Sequence, residues 1–333
     1  MAVVVTGAAG FIGRQVVATL RRLGREVVGI DRRAWVPAPG ERSVVADLAE
    51  RDPLVDRVLH DADGVIHLAA CPGVRDRRPD IAVRRWRDNV VAGTRVLETT
   101  PAATPVVVAS SSSVYGGAGP ALRPRPCRET DTLAPLGGYA WSKTALEQRA
   151  AARAADGGLV GVARPFTVAG EGQRPDMAIA TWIDALLGGR TIVLFGSGAR
   201  RRDITDVRDV ADGLVRMLDR RVTATVNLGT GVTHPLDEVV ALVAQRCGVE
   251  PRVQVAQVAA EDVPATRADV ETCRRLLGFV PTTDLPALID RQVRATVVAR
   301  PRMSWRVLPR RASLPATRPP ARSSRIEGVL PGR

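Results

Sequence analysis

TGAAGFIGR, residues 6–14, decides the fold. It follows an apolar run at 2–5 and leads into a segment whose apolar residues recur at helical spacing as far as Leu23, with Gly24 to close it. Gly7, Gly10 and Gly13 stand three apart. The pattern predicts a strand, a tight turn and a helix. Gly7 permits the turn, Gly10 lets backbone approach a pyrophosphate, and Gly13 lets the helix lie close to the sheet. A helix beginning near Phe11 and Ile12 offers free N–H groups and a positive dipole end to that anion. A glycine triplet alone is weak, but between a strand and a helix it reads as a dinucleotide loop. Asp31 then ends the run EVVGID (26–31), eighteen residues past Gly13. A carboxylate there accepts from both adenosine ribose hydroxyls and repels a 2′-phosphate, which favours NAD over NADP. Arg32 and Arg33, next in the chain, pull the other way.

Further out, GVIHLAA (64–70), PVVVASS (105–111) and LVGVARP (159–165) are β-branched runs separated by helical patterns. Such runs indicate a parallel sheet covered on both faces. The expected class is α/β, a Rossmann-type doubly wound parallel sheet. Residues 1–165 are expected to form it, with 203–233 returning to it. Residues 166–202 and 234–299 mix loops, short strands and helices, and predict a smaller α/β domain for substrate. No internal repeat is visible.

The formal charge of +13 is unevenly placed. Residues 300–333 hold nine Arg, one Glu and six Pro, with no Tyr or Phe, so +8 of it sits there. That composition predicts a disordered, solvated basic tail with no specific nucleic-acid partner. Cys71, Cys127, Cys247 and Cys273 lie far apart and the three His are scattered, which predicts no metal site and reduced thiols of a cytoplasmic protein. The start of the chain runs directly into a strand, with neither a leader pattern nor a run of membrane-spanning length.

The segment GGYAWSKTALE (137–147) holds the single lysine of the chain, Lys143, and one of its two tyrosines, Tyr139. At i and i+4 the two share a helix face. A phenol is a poor base at its ordinary pKa near 10. A neighbouring ammonium and a positive nicotinamide ring favour the phenolate. Reaching about 7 takes roughly 4 kcal/mol of differential stabilisation, and yields a general base for an alcohol under oxidation. A partner is expected at the carboxyl end of a strand. The run at 105–110 leads into SSSSVYG (110–116), where Ser111 is the candidate to bond the reacting hydroxyl.

Together these residues resemble the extended short-chain dehydrogenase/reductases, specifically the nucleotide-sugar epimerases and dehydratases, over about residues 1–290. The resemblance implies a catalytic set of Ser111, Tyr139 and Lys143. It implies cofactor contacts from the glycine loop, Asp31, Arg32, Asp47 and Leu48, from Leu68, Ala69 and Ala70 of HLAA, from Asn89, and from Tyr139 and Lys143. It places Ser112, Ser113 and Thr167 at the sugar, Phe195 in the stretch that wraps the base, and Arg202 at the phosphate. NLGTG (227–231) and EDVPATRAD (261–269) match the C-terminal pattern. Relatives dimerise through a four-helix contact, so a homodimer is implied.

Dehydratases of the family carry Asp-Glu after the catalytic Ser/Thr, where this chain has Ser112 and Ser113. Without that acid an elimination lacks its proton donor, which leaves epimerisation at C4. PGVR (72–75), Thr167 and QRPDM (173–177) resemble the UDP-glucuronate 4-epimerase branch. Arg174 and Arg75 are candidates for the C6 carboxylate, since guanidinium suits bidentate carboxylate recognition. The alternatives are a UDP-glucose 4-epimerase, an NAD(P)-dependent 4-ketoreductase, and a cofactor-binding protein without turnover. Ala169, Glu171, Asp206 and Glu261 depart from the pattern, which usually has Tyr, Pro, an aromatic or His, and Gly there.

Overall fold

The computed structural model describes residues 2–74 and 76–299; Arg75 and the expected tail at 300–333 lie outside the described residues. The strands are β1 (Val3–Thr6), β2 (Val27–Asp31), β3 (Glu41–Val45), β4 (Gly64–His67), β5 (Val106–Ala109), β6 (Val160–Pro165), β7 (Thr167–Ala169), β8 (Ile192–Phe195), β9 (Arg201–Arg202), β10 (Ile204–Asp206), β11 (Thr225–Leu228), β12 (His234–Pro235) and β13 (Val253–Ala256). The helices are α1 (Phe11–Arg22), α2 (Pro53–His60), α3 (Ile81–Arg85), α4 (Ala92–Thr99), α5 (Gly137–Ala155), α6 (Ala178–Leu187), α7 (Val207–Asp219), α8 (Leu236–Cys247), α9 (Glu271–Leu277) and α10 (Leu285–Ala299). A π-helical segment, Trp86–Val91, joins α3 to α4, and a 3₁₀ turn covers Ser112–Tyr115.

Seven strands form one sheet in the order β11-β6-β5-β4-β1-β2-β3, and every neighbouring pair is parallel. Strand order reverses at β1, so the loops after β1 and β4 diverge and leave a crevice above the carboxyl edge. The β-branched runs explain the burial. In β1, Val3 and Val5 face a core shared with α1 and α7, while Val4 faces one shared with α2, α4 and α5. Alternation across the pleat sends successive residues to opposite faces, and both faces are dry.

The remaining strands pair off as β7–β10, β8–β13 and β9–β12. A third core lies under them, built from Trp182 and Ile183 of α6, Val239 and Val243 of α8, and Leu288 and Ile289 of α10. β3 and these short pairs do not stand out as apolar runs. β3 reads ERSVV, an edge strand with no fully buried residue, so its hydrogen bonds to β2 and not its own hydrophobicity make it a strand.

Candidate active site

The dinucleotide loop takes the form its glycines require. Gly7 adopts φ +70, and a Cβ on it would stand 2.8 Å from the Ala69 nitrogen. A Cβ on Gly13 would stand 2.1 Å from the Gly7 carbonyl oxygen. Gly10 is the N-cap of α1, which has no side-chain cap and no acid in its first turn. The N–H groups of Phe11, Ile12 and Gly13 are thereby left for an anion.

Around the loop, Asp31 accepts from the Ala9 N–H at 3.0 Å and the Arg33 N–H at 2.9 Å, and also binds the Arg33 side chain. Arg32 forks onto Asp88, 2.7 Å at the shorter contact, and Asp47 takes Arg87 at 2.9 Å. Arg87, Arg32 and the Ala49 N–H hold the Asp47 carboxyl below its usual range against the opposing effect of burial. Both arginines after Asp31 are paired with carboxylates, Arg32 with Asp88 and Arg33 with Asp31 itself. Leu48 is buried, and Leu68, Ala69 and Ala70 line the end of β4 beside Gly7. The cradle fits a dinucleotide: glycines where a Cβ would strike backbone, free helix N–H groups, and an acid at the ribose end.

Thr6 fixes the floor of this crevice. Its hydroxyl oxygen accepts from the N–H groups of Leu68 and Ala69, both at 3.2 Å, so its proton goes to His67 Nδ1 at 2.7 Å. His67 is therefore neutral with its hydrogen on Nε2, which is buried and has no partner among the described residues. Burial, and then the charge of Lys143, push its pKa down to about 3. An unfolded histidine titrates near 6.5, so the stability this site contributes is present above that pH and is lost as pH falls toward 3. Going from pH 7.5 to 5.0 should cost the protein about 2 kcal/mol more than it costs His67→Gln, read by calorimetric unfolding at both pH values.

At the carboxyl end of β5, Ser111 caps the 3₁₀ turn by accepting from the Ser113 N–H, and its hydroxyl lies beside the phenol of Tyr139. Tyr139 sits in the first turn of α5. Burial pushes its pKa up; Ser111, then the Arg174 and Arg85 guanidiniums, act in the opposite direction. One turn later Lys143 is buried, donates to the Ala109 carbonyl at 2.7 Å, and is pushed by burial down to about 8. The expected Ser–Tyr–Lys grouping is therefore assembled at one strand end. The cations that act most on the phenol are the two arginines.

Asn89 is fully buried and works as a tie. It accepts from the Cys71 N–H at 2.6 Å and donates to the Cys71 carbonyl and to Ser142 Oγ, which in turn donates to the Tyr139 carbonyl. It fixes the loop after β4 against the first turn of α5.

Of the expected substrate residues, Ser112 and Ser113 lie in the 3₁₀ turn, and the Ser113 hydroxyl is buried without a partner among the described residues. Thr167 opens β7 and Phe195 ends β8. Arg174 forks onto Asp176 with two contacts of 2.9 Å. Arg202 pairs with Asp262 at 2.6 Å.

Residues 3–229 match the NAD dependent epimerase/dehydratase family. The chain belongs to that family. It is 32% identical to UDP-glucuronate 4-epimerase 4 of Arabidopsis thaliana over 88% of this chain and 74% of that protein. It is also similar to the solved structure of MoeE5 in complex with UDP-glucuronic acid and NAD (38% identity, TM-score 0.82, 90% and 99% of the two chains), a protein also solved with UDP-glucose and NAD. UDP-glucuronic acid 4-epimerase from Bacillus cereus, with UDP-glucuronic acid and NAD, matches at 25% identity and TM-score 0.82 over 90% and 99% of the chains.

Membership of an NAD dependent epimerase/dehydratase family makes the Gly13 contact a test. A methyl group at Gly13 forces Gly7 and the helix apart, so Gly13→Ala should weaken NAD binding about tenfold or more, or about 1.4 kcal/mol, by titration calorimetry.

The family also gives the departures a context. Glu171 accepts from Arg208 at 2.6 Å and Arg291 at 3.0 Å. Asp206 accepts from Arg291 as well, and caps α7 at the Arg208 N–H, 2.9 Å. Two departures read singly in the sequence thus share partners, and they bind α10 to the start of α7 and to the loop after β7. Glu261 accepts from Arg77 at 3.2 Å and lies over Gly137. Apart from the helix cap, none of these pairings follows from local pattern, because each joins residues distant in the chain.

Proposed function

We propose that this chain is an NAD-dependent UDP-glucuronate 4-epimerase. The observation that carries the reading is the grouping at Tyr139. A phenol with Ser111 beside it stands near two guanidiniums, and the adjoining turn offers serines where an elimination would need an acid. Catalytic roles for Ser111, Tyr139 and Lys143 belong to this proposal, as do the substrate roles of Ser112, Ser113, Thr167, Arg174, Phe195 and Arg202, and the assignment of 166–202 and 234–299 to the sugar nucleotide.

In this reading Ser111 holds the C4 hydroxyl and Tyr139 takes its proton. Bound NAD supplies reversible two-electron oxidation at C4. The 4-keto sugar turns over in the pocket, and Tyr139 returns the proton once the other face is reduced. Lys143, pinned by the Ala109 carbonyl, keeps the first turns of α5 seated on β5. Arg174 exchanges Asp176 for the C6 carboxylate, a like-for-like bidentate partner.

UDP-glucose is the second reading, favoured by its presence in the MoeE5 structure. Proton NMR of UDP-glucuronate with purified protein and no added NAD tests the choice. Appearance of UDP-galacturonate is expected; faster turnover of UDP-glucose would overturn it.

The proposal extends to a cytoplasmic homodimer. Val83, Trp86, Val91 and Trp141 on α3, the π segment and α5 are large, apolar and exposed, which suits a helix-to-helix contact between two copies. No helix among the described residues is long and apolar enough to cross a membrane.

A further inference from the structure

The Arg-rich stretch before Asn89 contains one arginine unlike its neighbours. Arg77, Arg78, Arg84 and Arg87 are each paired with a carboxylate at the surface. Arg85 is 6% exposed. Among the described residues it has no carboxylate within ion-pair distance, its Nε has no partner, and its hydrogen bond runs to the Gly73 carbonyl. A Cβ on Gly138 would stand 3.1 Å from an Arg85 Nη, so the guanidinium lies against the residue before Tyr139. The nearby acids are otherwise engaged: Asp76 is forked by Arg78, and Asp176 by Arg174.

A buried cation with no counter-ion costs several kcal/mol, and is tolerated where an anion forms or binds beside it. The start of α5 adds to the same demand, since it has no side-chain cap and no acid in its first turn. The anion that forms at this spot during the proposed reaction is the Tyr139 phenolate.

We propose that Arg85 is a positioning residue for the reaction, a buried cation that clips the Gly73 loop to the start of α5 and stabilises the anionic form of Tyr139. The inference rests on Tyr139 being the base. The groups that act on the phenol are Arg85 from α3, Cys71 from the loop after β4, Arg174 from the loop after β7, and Ser111 at the end of β5, while Lys143, one turn on along α5, is turned to the Ala109 carbonyl. Of the two guanidiniums, Arg174 is held by a carboxylate and is assigned to the substrate. Arg85 is left to act on Tyr139 in every step. A neutral residue in its place should make the phenolate harder to form.

The chain has two tyrosines, which makes this directly measurable. Tyr115 is pushed well up by burial, so an ultraviolet titration of the holoenzyme reads Tyr139, with Tyr139→Phe as the blank. Arg85→Met should move the phenolate midpoint up by about one pH unit or more. The acid limb of the kcat profile should move with it, while bound NAD is unchanged. Arg85→Lys should recover most of the shift. Arg85→Gln serves if the methionine variant does not fold. A purely structural clip would lower Tm or raise KM and leave the midpoint and limb in place, and that result overturns the proposal. An active Tyr139→Phe would overturn the base assignment instead, while the titration still reports on Arg85.

Discussion

Tyr139→Phe is expected to keep NAD bound and to slow C4 epimerisation by about 10³-fold or more. The substitution removes one oxygen from a ring whose position is set elsewhere. The Ser142 hydroxyl donates to the Tyr139 carbonyl, Asn89 donates to Ser142, and Lys143 is anchored on Ala109, none of them through the phenol. The cofactor cradle depends on Gly7, Gly10, Gly13 and Asp31, which the change does not touch. What disappears is the group that accepts the C4 proton, and neither Ser111 nor Lys143 replaces it. A serine hydroxyl is far too weak a base. Lys143, brought down to about 8, is cationic below that pH and its Nζ is turned to the Ala109 carbonyl. Bound NAD measured after denaturation, together with the NMR assay, separates the two effects. Turnover within tenfold of the parent would remove Tyr139 as the base.

The parts legible in the sequence are those in which chemistry and local pattern coincide. TGAAGFIG needs glycine for backbone reasons and lies between a strand and a helix that are both strongly patterned, so loop, sheet and cofactor follow together. Tyr139 and Lys143 are visible because helical spacing alone puts them on one face. Asn89 was legible as a position but not as a tie, since Cys71 and Ser142 are joined to it only by the fold. Burial is the least legible quantity. Arg84 and Arg85 are adjacent and identical in type, and the turn of α3 sends one to solvent and the other beneath the Gly73 loop. The short pairs β7–β10, β8–β13 and β9–β12 are equally silent, because strands of two to four residues carry too few side chains for a period to show.

Arg164 lies on β6 and pairs with Glu147, about two turns along α5 from Tyr139, and its replacement by methionine should destabilise the protein by about 3–5 kcal/mol. Its guanidinium forks onto Glu147 at 2.9 and 2.6 Å, donates to the Tyr115 hydroxyl at 2.8 Å and lies 4.8 Å over that ring. Tyr115 donates to Asn227 on β11, which donates to the Cys127 carbonyl. One side chain therefore joins α5, the 3₁₀ turn and two sheet strands, with both members of the ion pair about nine-tenths or more buried. Removing the cation alone leaves Glu147 a buried charge without its counter-ion, which is why the single change is costly. The pair as a whole is a different matter, because its attraction was already spent on desolvating both ions. Arg164→Met combined with Glu147→Leu should therefore recover most of the loss in urea unfolding. The recovery would be a matter of stability alone. Glu147 stands one turn beyond Lys143 and is the charge that opposes the fall in its pKa. The double variant should thus fold nearly as well as the parent while its Lys143 loses its ammonium at lower pH. Equal damage from the single and the double change would mean that the fork contributes net attraction, and that the buried pair holds α5 to the sheet in its own right.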